Sequence, residues 1–387
     1  LVKAFKYRIC PTKSQEIVLR ETLERLRELY NAALQERRDA YQKQSISITA
    51  YRQMKEIVAV REIRPEYGQI HTHLLQDAIT RLDRAFQAFF RRCKSGEKPG
   101  YPRFRGRGRY RTFTFKDASH NNGVRLSDSK KRIKVSGIGN IKIKLHRPID
   151  GKVKQVSITL GGDGHWYAIF SCVDISATPL PKTGRSVGID VGISTFAALS
   201  DGTLIANPRP YESAQKALAK AQRVVSRRKN KKSNRRRKAI VLLAKQHDRV
   251  RRVRLDFHHK TALNIVRQFD SISVENLNVK GLAKGRLAKQ VHDAAWAQFT
   301  QILESKAASA AREFFRVNPR GTSQECSSCG AIVKKSLSVR IHVCPECGLV
   351  EDRDINASKN IKRRGHRLRA LTQAEVRPHV VREAAGL

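Results

Sequence analysis

The chain has 387 residues, 40% of them hydrophobic, and a formal net charge of +44. The hydrophobic share excludes wholesale disorder, and the length gives room for two or three domains with cores of their own. The charge excludes a neutral, self-sufficient enzyme, because a polyanion must offset it, and nucleic acid is the natural one. A membrane surface is the rival, but no long apolar span and no isolated Lys-rich amphipathic helix is present in the sequence. No signal peptide is visible and position 1 is Leu, so the expectation is a cytoplasmic, nucleoid-associated protein with a trimmed N-terminus.

Residues 2–10 alternate as a short strand that Pro11 stops. Thr12 and Gln15 then form a capping box. Leu19, Leu23, Leu26, Tyr30 and Ala33 follow at helical spacing, and a second strong helix is predicted near 71–92. The segment from Lys98 to Gly106 is a loop. Over 110–175 the period changes to two, with Ile133/Val135, Ile141/Ile143/Leu145, Val156/Ile158/Leu160 and Ala168/Phe170/Cys172. This pattern predicts a small antiparallel barrel or sandwich that the N-terminal strand joins, with the helices inserted between. Pro179 and Pro181 mark a linker. After it come an apolar strand carrying Asp190, a hairpin around Asp201-Gly202, and a helical stretch over 212–268 saturated with Arg and Lys. A strand then ends at Glu275, a helix covers 293–314, and a last helix starts near 356. The tail after 366 is expected to be weakly ordered.

Three isolated acids stand in this basic chain: Asp190, Glu275 and Asp354. The order strand with Gly-Ile-Asp-x-Gly, hairpin, helix, strand ending in Glu, late Asp before a helix is the ribonuclease-H-like layout. Hydrolysis of a phosphodiester needs an attacking water and a leaving oxygen stabilised by Mg²⁺, and carboxylates on rigid strand ends hold that ion. Taken singly, each acid also fits a turn, a strand end or a helix cap. Together their order favours a site, with Asp352 the rival of Asp354. The segment Gly188 to Thr195 also fits the first phosphate loop of actin-like ATPases, but no second glycine-rich phosphate loop follows.

Of the seven cysteines, four form the pairs Cys326/Cys329 and Cys344/Cys347, each followed by Gly. The spacing fits a two-knuckle ribbon with a structural Zn²⁺, since four thiolates leave no open ligand position. Cys10, Cys93 and Cys172 lie in or beside apolar stretches and are expected to be buried thiols. The basic run Arg227, Arg228, Lys229, then Arg235, Arg236 and Arg237, is interrupted by apolar residues such as Ile240 and Leu242. It predicts a basic helix face that lies on a core and lines a phosphate channel. Arg103 and Arg105, interleaved with Tyr101 and Phe104, suit contacts to single strands or RNA.

The chain resembles the TnpB family of transposon-encoded RNA-guided nucleases, relatives of type V CRISPR effectors. The resemblance rests on Lys3 to Ile9 with Pro11 and Gln15, Gly100 to Arg105, Gly188 to Gly192, Phe257-His258-His259-Lys260 and Val274 to Leu277. The cysteine ribbon and Asp352 to Ile361 complete it. It implies a multidomain α+β and α/β protein. A wedge β-barrel would occupy 1–11 plus 105–178, and a helical recognition module 12–104. A RuvC-like nuclease domain would span 183–365, with the zinc ribbon at 320–350 inside it and a flexible tail at 366–387. It implies Asp190, Glu275 and Asp354 as the Mg²⁺-binding catalytic triad, and Tyr51 and Gln76 as positions that read a short transposon-adjacent motif. The implied partners are a transposon-end guide RNA and target double-stranded DNA, with the protein a monomer in the RNA complex and base pairing carrying sequence choice. A nuclease-dead, RNA-guided DNA-binding regulator is the alternative.

Overall fold

The computed structural model describes residues 1–118, 122–230, 233–336 and 338–376. The chain forms two compact units, Leu1–Ser176 and Ala177–Leu387.

In the first unit, strand β1 (Lys3–Cys10) buries Phe5, Tyr7 and Ile9 on one face. Thr12 caps helix α1 (Lys13–Gln44): its hydroxyl accepts from Gln15 N, while Thr12 N donates to Gln15 Oε1. The helix buries the expected stripe of Leu19, Leu23, Leu26, Tyr30 and Ala33. Helices α2 (Ala50–Ile63), α3 (Pro65–Gly68) and α4 (Thr72–Lys94) follow, α4 burying Leu75, Ala78, Leu82 and Phe86. Strands β2 (Thr112–Phe115), β3 (Val124–Leu126), β4 (Arg132–Val135), β5 (Gly139–Lys144), β6 (Lys152–Leu160) and β7 (Trp166–Val173) form with β1 a nearly closed antiparallel barrel. The order is β2-β6-β7-β1-β5-β4-β3, so the N-terminal strand joins the sheet as expected and lies at its centre. Barrel and helices share one apolar core. Of the three lone cysteines, Cys172 is buried, but Cys10 is only half-buried and Cys93 is exposed. Cys93 lies in the last turn of α4, beside Arg91, Arg92 and Lys94 and past the apolar stripe.

The second unit begins with β8 (Ser186–Val191), β9 (Thr195–Leu199) and β10 (Leu204–Ala206), the last two joined by the Asp201-Gly202 hairpin. The expected single helical stretch is two helices, α5 (Pro210–Arg227) and α6 (Asn234–Gln268). The break falls just before Ser233, whose hydroxyl caps α6 by accepting from Arg236 N. Strand β11 (Ser271–Glu275) leads to α7 (Val279–Leu282), α8 (Ala288–Ala294) and α9 (Trp296–Ser309). The helix expected over 293–314 therefore splits, at Ala295, which sits in the left-handed region (φ 49°). Strand β12 (Glu313–Val317), the ribbon strands β13 (Ile341–Val343) and β14 (Val350–Asp352), and α10 (Arg353–Val376) complete the chain. The last helix thus covers the first part of the expected tail, and positions 377–387 of that tail lie outside the described residues.

The sheet order is β10-β9-β8-β11-β12, with β8, β11 and β12 parallel and β9 antiparallel to β8. Val187, Ile189, Ile272 and Val274 point into a core with Phe299 and Leu303 of α9. His258 belongs to this core. Its ring stacks on Phe196, its Nε2 lies 3.0 Å from Ala294 O, and burial lowers its pKa to about 4. The opposite sheet face carries α10 at close range, because two glycines remove side chains from the contact. A Cβ on Gly188 would collide with the Ser358 carbonyl, and one on Gly365 would collide with Ser273 Oγ. No helix among the described residues is long and apolar enough to cross a membrane.

Candidate active site and metal centre

The parallel register sets Val274 beside Ile189, so Glu275 and Asp190 are the next residues along neighbouring strands. Strand alternation turns Asp190 to the same face as Gly188, under α10, and Asp354 lies in the first turn of that helix. Burial holds the Asp190 carboxyl well above the usual carboxylate range, the charges of Glu275 and Asp354 add to the rise, and Arg353 offsets part of it. Burial also raises Glu275, against a hydrogen bond from Thr322 and the charge of Arg364. The structure thus brings Glu275 and Asp354 within electrostatic reach of Asp190, and like charges at this burial favour either a proton or a cation.

Asp352 and Asp354 are differently placed. Asp352 Oδ1 accepts from Asp354 N at 2.8 Å and from Ile355 N at 3.1 Å, the geometry of an N-cap. Asp354 is half-buried, with Arg353 at 3.4 Å and Arg340 at 3.5 Å. Its carboxylate makes no cap, and its charge, like that of Asp352, raises Asp190. A two-ion site spreads its ligands over ions about 3.5–4 Å apart, so three carboxylates from three elements suit it in number and charge.

The four cysteines are brought together. Their Sγ atoms all lie within 4.8 Å of one another, with Cys326–Cys347 at 3.7 Å and Cys329–Cys344 at 3.5 Å. A tetrahedral ion with bonds of about 2.3 Å sets its sulfurs about 3.8 Å apart, so this donor set fits Zn²⁺. Each pair closes a knuckle: Gly330 N donates to Cys326 O and Gly348 N to Cys344 O, both glycines at positive φ (83° and 71°). His342 is fully buried beside the set, with its Nδ1 paired to Lys335 Nζ.

The other predicted binding residues scatter. Tyr51 is exposed on α2, where Lys55 Nζ sits 4.8 Å from its ring centre, and Gln76 is half-buried on α4. Arg103 is exposed. Arg105 stacks its guanidinium over Tyr30, and its backbone is clamped by Asn31, which accepts from Arg105 N at 2.8 Å and donates to its carbonyl at 3.0 Å. Within the basic run, Arg227, Lys229, Arg235 and Arg237 are exposed, and Lys231 and Lys232 lie outside the described residues. Arg228 and Arg236 have a structural task instead. Arg236 donates to Val225 O and Arg228 O, and Arg228 donates to Arg235 O, closing the turn between α5 and α6. Ile240 and Leu242 are exposed rather than seated on a core, because this part of α6 packs on α5 through Ala239 and Val250.

Sequence reasoning placed Asn356 and Asn360 in a matching segment but gave them no role, which is to hold the ribbon to α10. Asn356 Oδ1 accepts from Ser327 N and its Nδ2 donates to Glu325 O, both at 2.8 Å. Asn360 Nδ2 donates to Thr322 O at 2.9 Å and to Glu325 O at 2.6 Å. Both amides are fully buried on α10. Their signal was two Asn four apart on a helix face otherwise lined by Ile355, Ala357 and Ile361.

Comparison with known proteins follows the same division. The family model OrfB_IS605, described as “Probable transposase”, matches residues 170–286, and the model for the Cas12f1-like TNB domain matches 296–361. A model described as a helix-turn-helix domain matches 2–45, although this segment folds as β1 and the single helix α1. A Streptomyces pristinaespiralis protein whose name includes the words RNA-guided DNA endonuclease is 34% identical over 376 residues, 93% of this chain and 88% of that protein. InsQ of Escherichia coli K12, named in the same words, is 27% identical and covers 94% and 92%. The solved structure of a Cas12f1–sgRNA–target DNA complex matches with TM-score 0.56 at 13% identity, over 94% of this chain and 98% of that one. The mini-RNA-guided endonuclease CRISPR-Cas_phi3 matches with TM-score 0.55 at 11% identity, over 94% and 92%. The fold is therefore Cas12f-like, with a RuvC-like region and a zinc-ribbon domain. The chain belongs to the TnpB family, the OrfB proteins of IS605-type transposons.

Proposed function

We propose that the protein is an RNA-guided endonuclease that cuts double-stranded DNA next to a short transposon-adjacent motif, in the service of transposon maintenance. One observation carries the reading. In a chain of net charge +44, Asp190 is buried against the charges of Glu275 and Asp354. A binder that only neutralises phosphate gains nothing from such a cluster, whereas phosphodiester hydrolysis needs it, which also weighs against the nuclease-dead regulator.

On this reading Asp190, Glu275 and Asp354 hold Mg²⁺, which would stabilise charge on the attacking and leaving oxygens. The sheet end fixes Asp190 and Glu275, α10 delivers Asp354, and Thr322 orients Glu275. Cys326, Cys329, Cys344 and Cys347 hold a structural Zn²⁺. Arg227, Lys229, Arg235 and Arg237 offer exposed charge to phosphates, as do Arg103 and Arg105. Tyr51 and Gln76 face the adjacent DNA motif, guide pairing supplies sequence choice, and one protein copy serves each guide RNA in the cytoplasm, at the nucleoid.

The test is to purify the protein expressed from its native locus and sequence the RNA that comes with it. A uniform RNA from the adjoining transposon end is the expected result. Random cellular RNA would remove the guide from the reading.

A further inference from the structure

A threonine hydroxyl links the root of the cysteine ribbon directly to one of the three acids. Thr322 lies four residues before Cys326 and is 4% exposed. Its Oγ1 lies 2.5 Å from Glu275 Oε1 and 3.1 Å from Pro319 O. A threonine hydroxyl has one proton to donate. Once Glu275 is ionised, the charged acceptor takes it, because charge-assisted bonds are the stronger ones.

Thr322 is itself held from the ribbon side. Its carbonyl accepts from Asn360 Nδ2, which also donates to Glu325 O, the residue before the first zinc-type ligand. Asn356 ties Glu325 O and Ser327 N, on either side of Cys326, to the helix that carries Asp354. The Glu325 carboxylate pairs with Arg363 at 2.5 Å and with Arg364 at 2.9 Å, and Arg364 is the cation whose charge reaches Glu275. The root of the first knuckle, Thr322 to Ser327, is thus fastened to α10 on one side and to Glu275 on the other.

We infer that Thr322 is a positioning residue: it fixes Oε1 of Glu275 so that the remaining lone pairs face the divalent ion, and it transmits the folded state of the cysteine ribbon to the acidic centre. This rests on the nuclease reading above. The consequence is that losing metal from the ribbon weakens divalent-ion binding at a distance, through Thr322, without touching any of the three acids.

The test uses the full chain and two variants, Thr322→Val, which keeps shape and removes the donor, and Thr322→Ser, which keeps the donor. Mn²⁺ binding is measured by calorimetry, the Mg²⁺ dependence of cleavage by titration, and zinc content and Tm alongside. Thr322→Val should bind Mn²⁺ about tenfold more weakly and need about tenfold more Mg²⁺ for half-maximal cleavage, as expected for loss of one hydrogen bond to a charged acceptor. Its zinc content should stay at one ion per chain, and Thr322→Ser should recover at least half of the lost Mn²⁺ affinity. Wild-type Mn²⁺ affinity in Thr322→Val would overturn the inference, as would a Thr322→Ser variant that binds zinc and melts normally yet fails as badly as valine. Asp190→Ala separates this from the underlying reading. If it too leaves Mn²⁺ binding and cleavage intact, the nuclease centre is wrong and Thr322 has nothing to position. If it abolishes both while Thr322→Val matches wild type, only the Thr322 inference falls.

Discussion

The cysteine ribbon and the acidic trio, on the proposed function, are two ways to assemble ligands for a cation in the same unit. The ribbon draws its four thiols from one stretch, 326–347, and closes them with two local knuckles. The trio draws on residues from 190 to 354 and needs a sheet register, a helix and two glycine contacts before the charges of Glu275 and Asp354 reach Asp190. A local site is stabilised mainly by its ion. A dispersed site is stabilised by the fold and is under electrostatic tension in the absence of a cation, since burial and its neighbours' charges raise Asp190. The first is built to be stable, the second to react.

The sharpest way to break that contrast is to remove one member from each. Asp190→Ala or Glu275→Ala should lower cleavage by about 10³-fold or more, since a bound ion supplies several kcal/mol to the transition state, yet leave the fold intact. Circular dichroism and a cleavage time course would show both halves. Cys326→Ser should do the reverse first. It should release zinc, measured by elemental analysis, and cost several kcal/mol of stability in the second unit, because metal binding there is folding free energy. Loss of cleavage would then follow from unfolding of the ribbon.

Packing of α10 is the next test. Gly188→Ala forces a methyl into the Ser358 carbonyl and should cost about 1–3 kcal/mol in denaturant unfolding, with a drop in cleavage because Asp354 rides on the displaced helix. A smaller effect separates the two aspartates at its start. Asp352→Ala should cost about 0.5–2 kcal/mol as a lost cap and retain cleavage, while Asp354→Ala should abolish cleavage.

The smallest effect is a pH dependence. Folding raises the Asp190 pKa, so the folded chain binds the proton more tightly than the unfolded one. In chelator, this group favours the fold fully below the unfolded pKa of about 4, and that contribution is lost as pH rises through the folded value. Asp190→Asn should therefore raise Tm at neutral pH in chelator and flatten that slope, and added Mg²⁺ should raise the wild-type Tm but not that of the variant. A variant that melts lower than wild type in chelator would contradict the tension ascribed to the trio.

The ribbon was legible in the sequence because its ligands are close together and cysteine pairs followed by glycine have few other uses. The acids were legible only as an ordered set, since each alone fits a turn or a cap. Residue pattern alone did not divide Asp352 from Asp354, and the family resemblance favoured Asp354; only the structure shows that Asp352 turns back to the helix amides. The barrel strands and the capping box at Thr12 follow from alternation and local chemistry. The kink at Ala295 and the turn between α5 and α6 depend on backbone angles and on Arg236 reaching carbonyls of α5, which no periodicity shows. Thr322 escaped notice, and Asn356 and Asn360 stood in the matching segment without a role, because small polar residues gain meaning only from what they face.

Guided cleavage tests the central claim most directly. The ribonucleoprotein purified from the native locus is incubated with a plasmid carrying a guide-matched target, with Mg²⁺ or with chelator. A linear product is expected only with the matched target and Mg²⁺, and none from the Asp354→Ala protein. A linear product from Asp354→Ala, or from an unmatched plasmid, would contradict the claim.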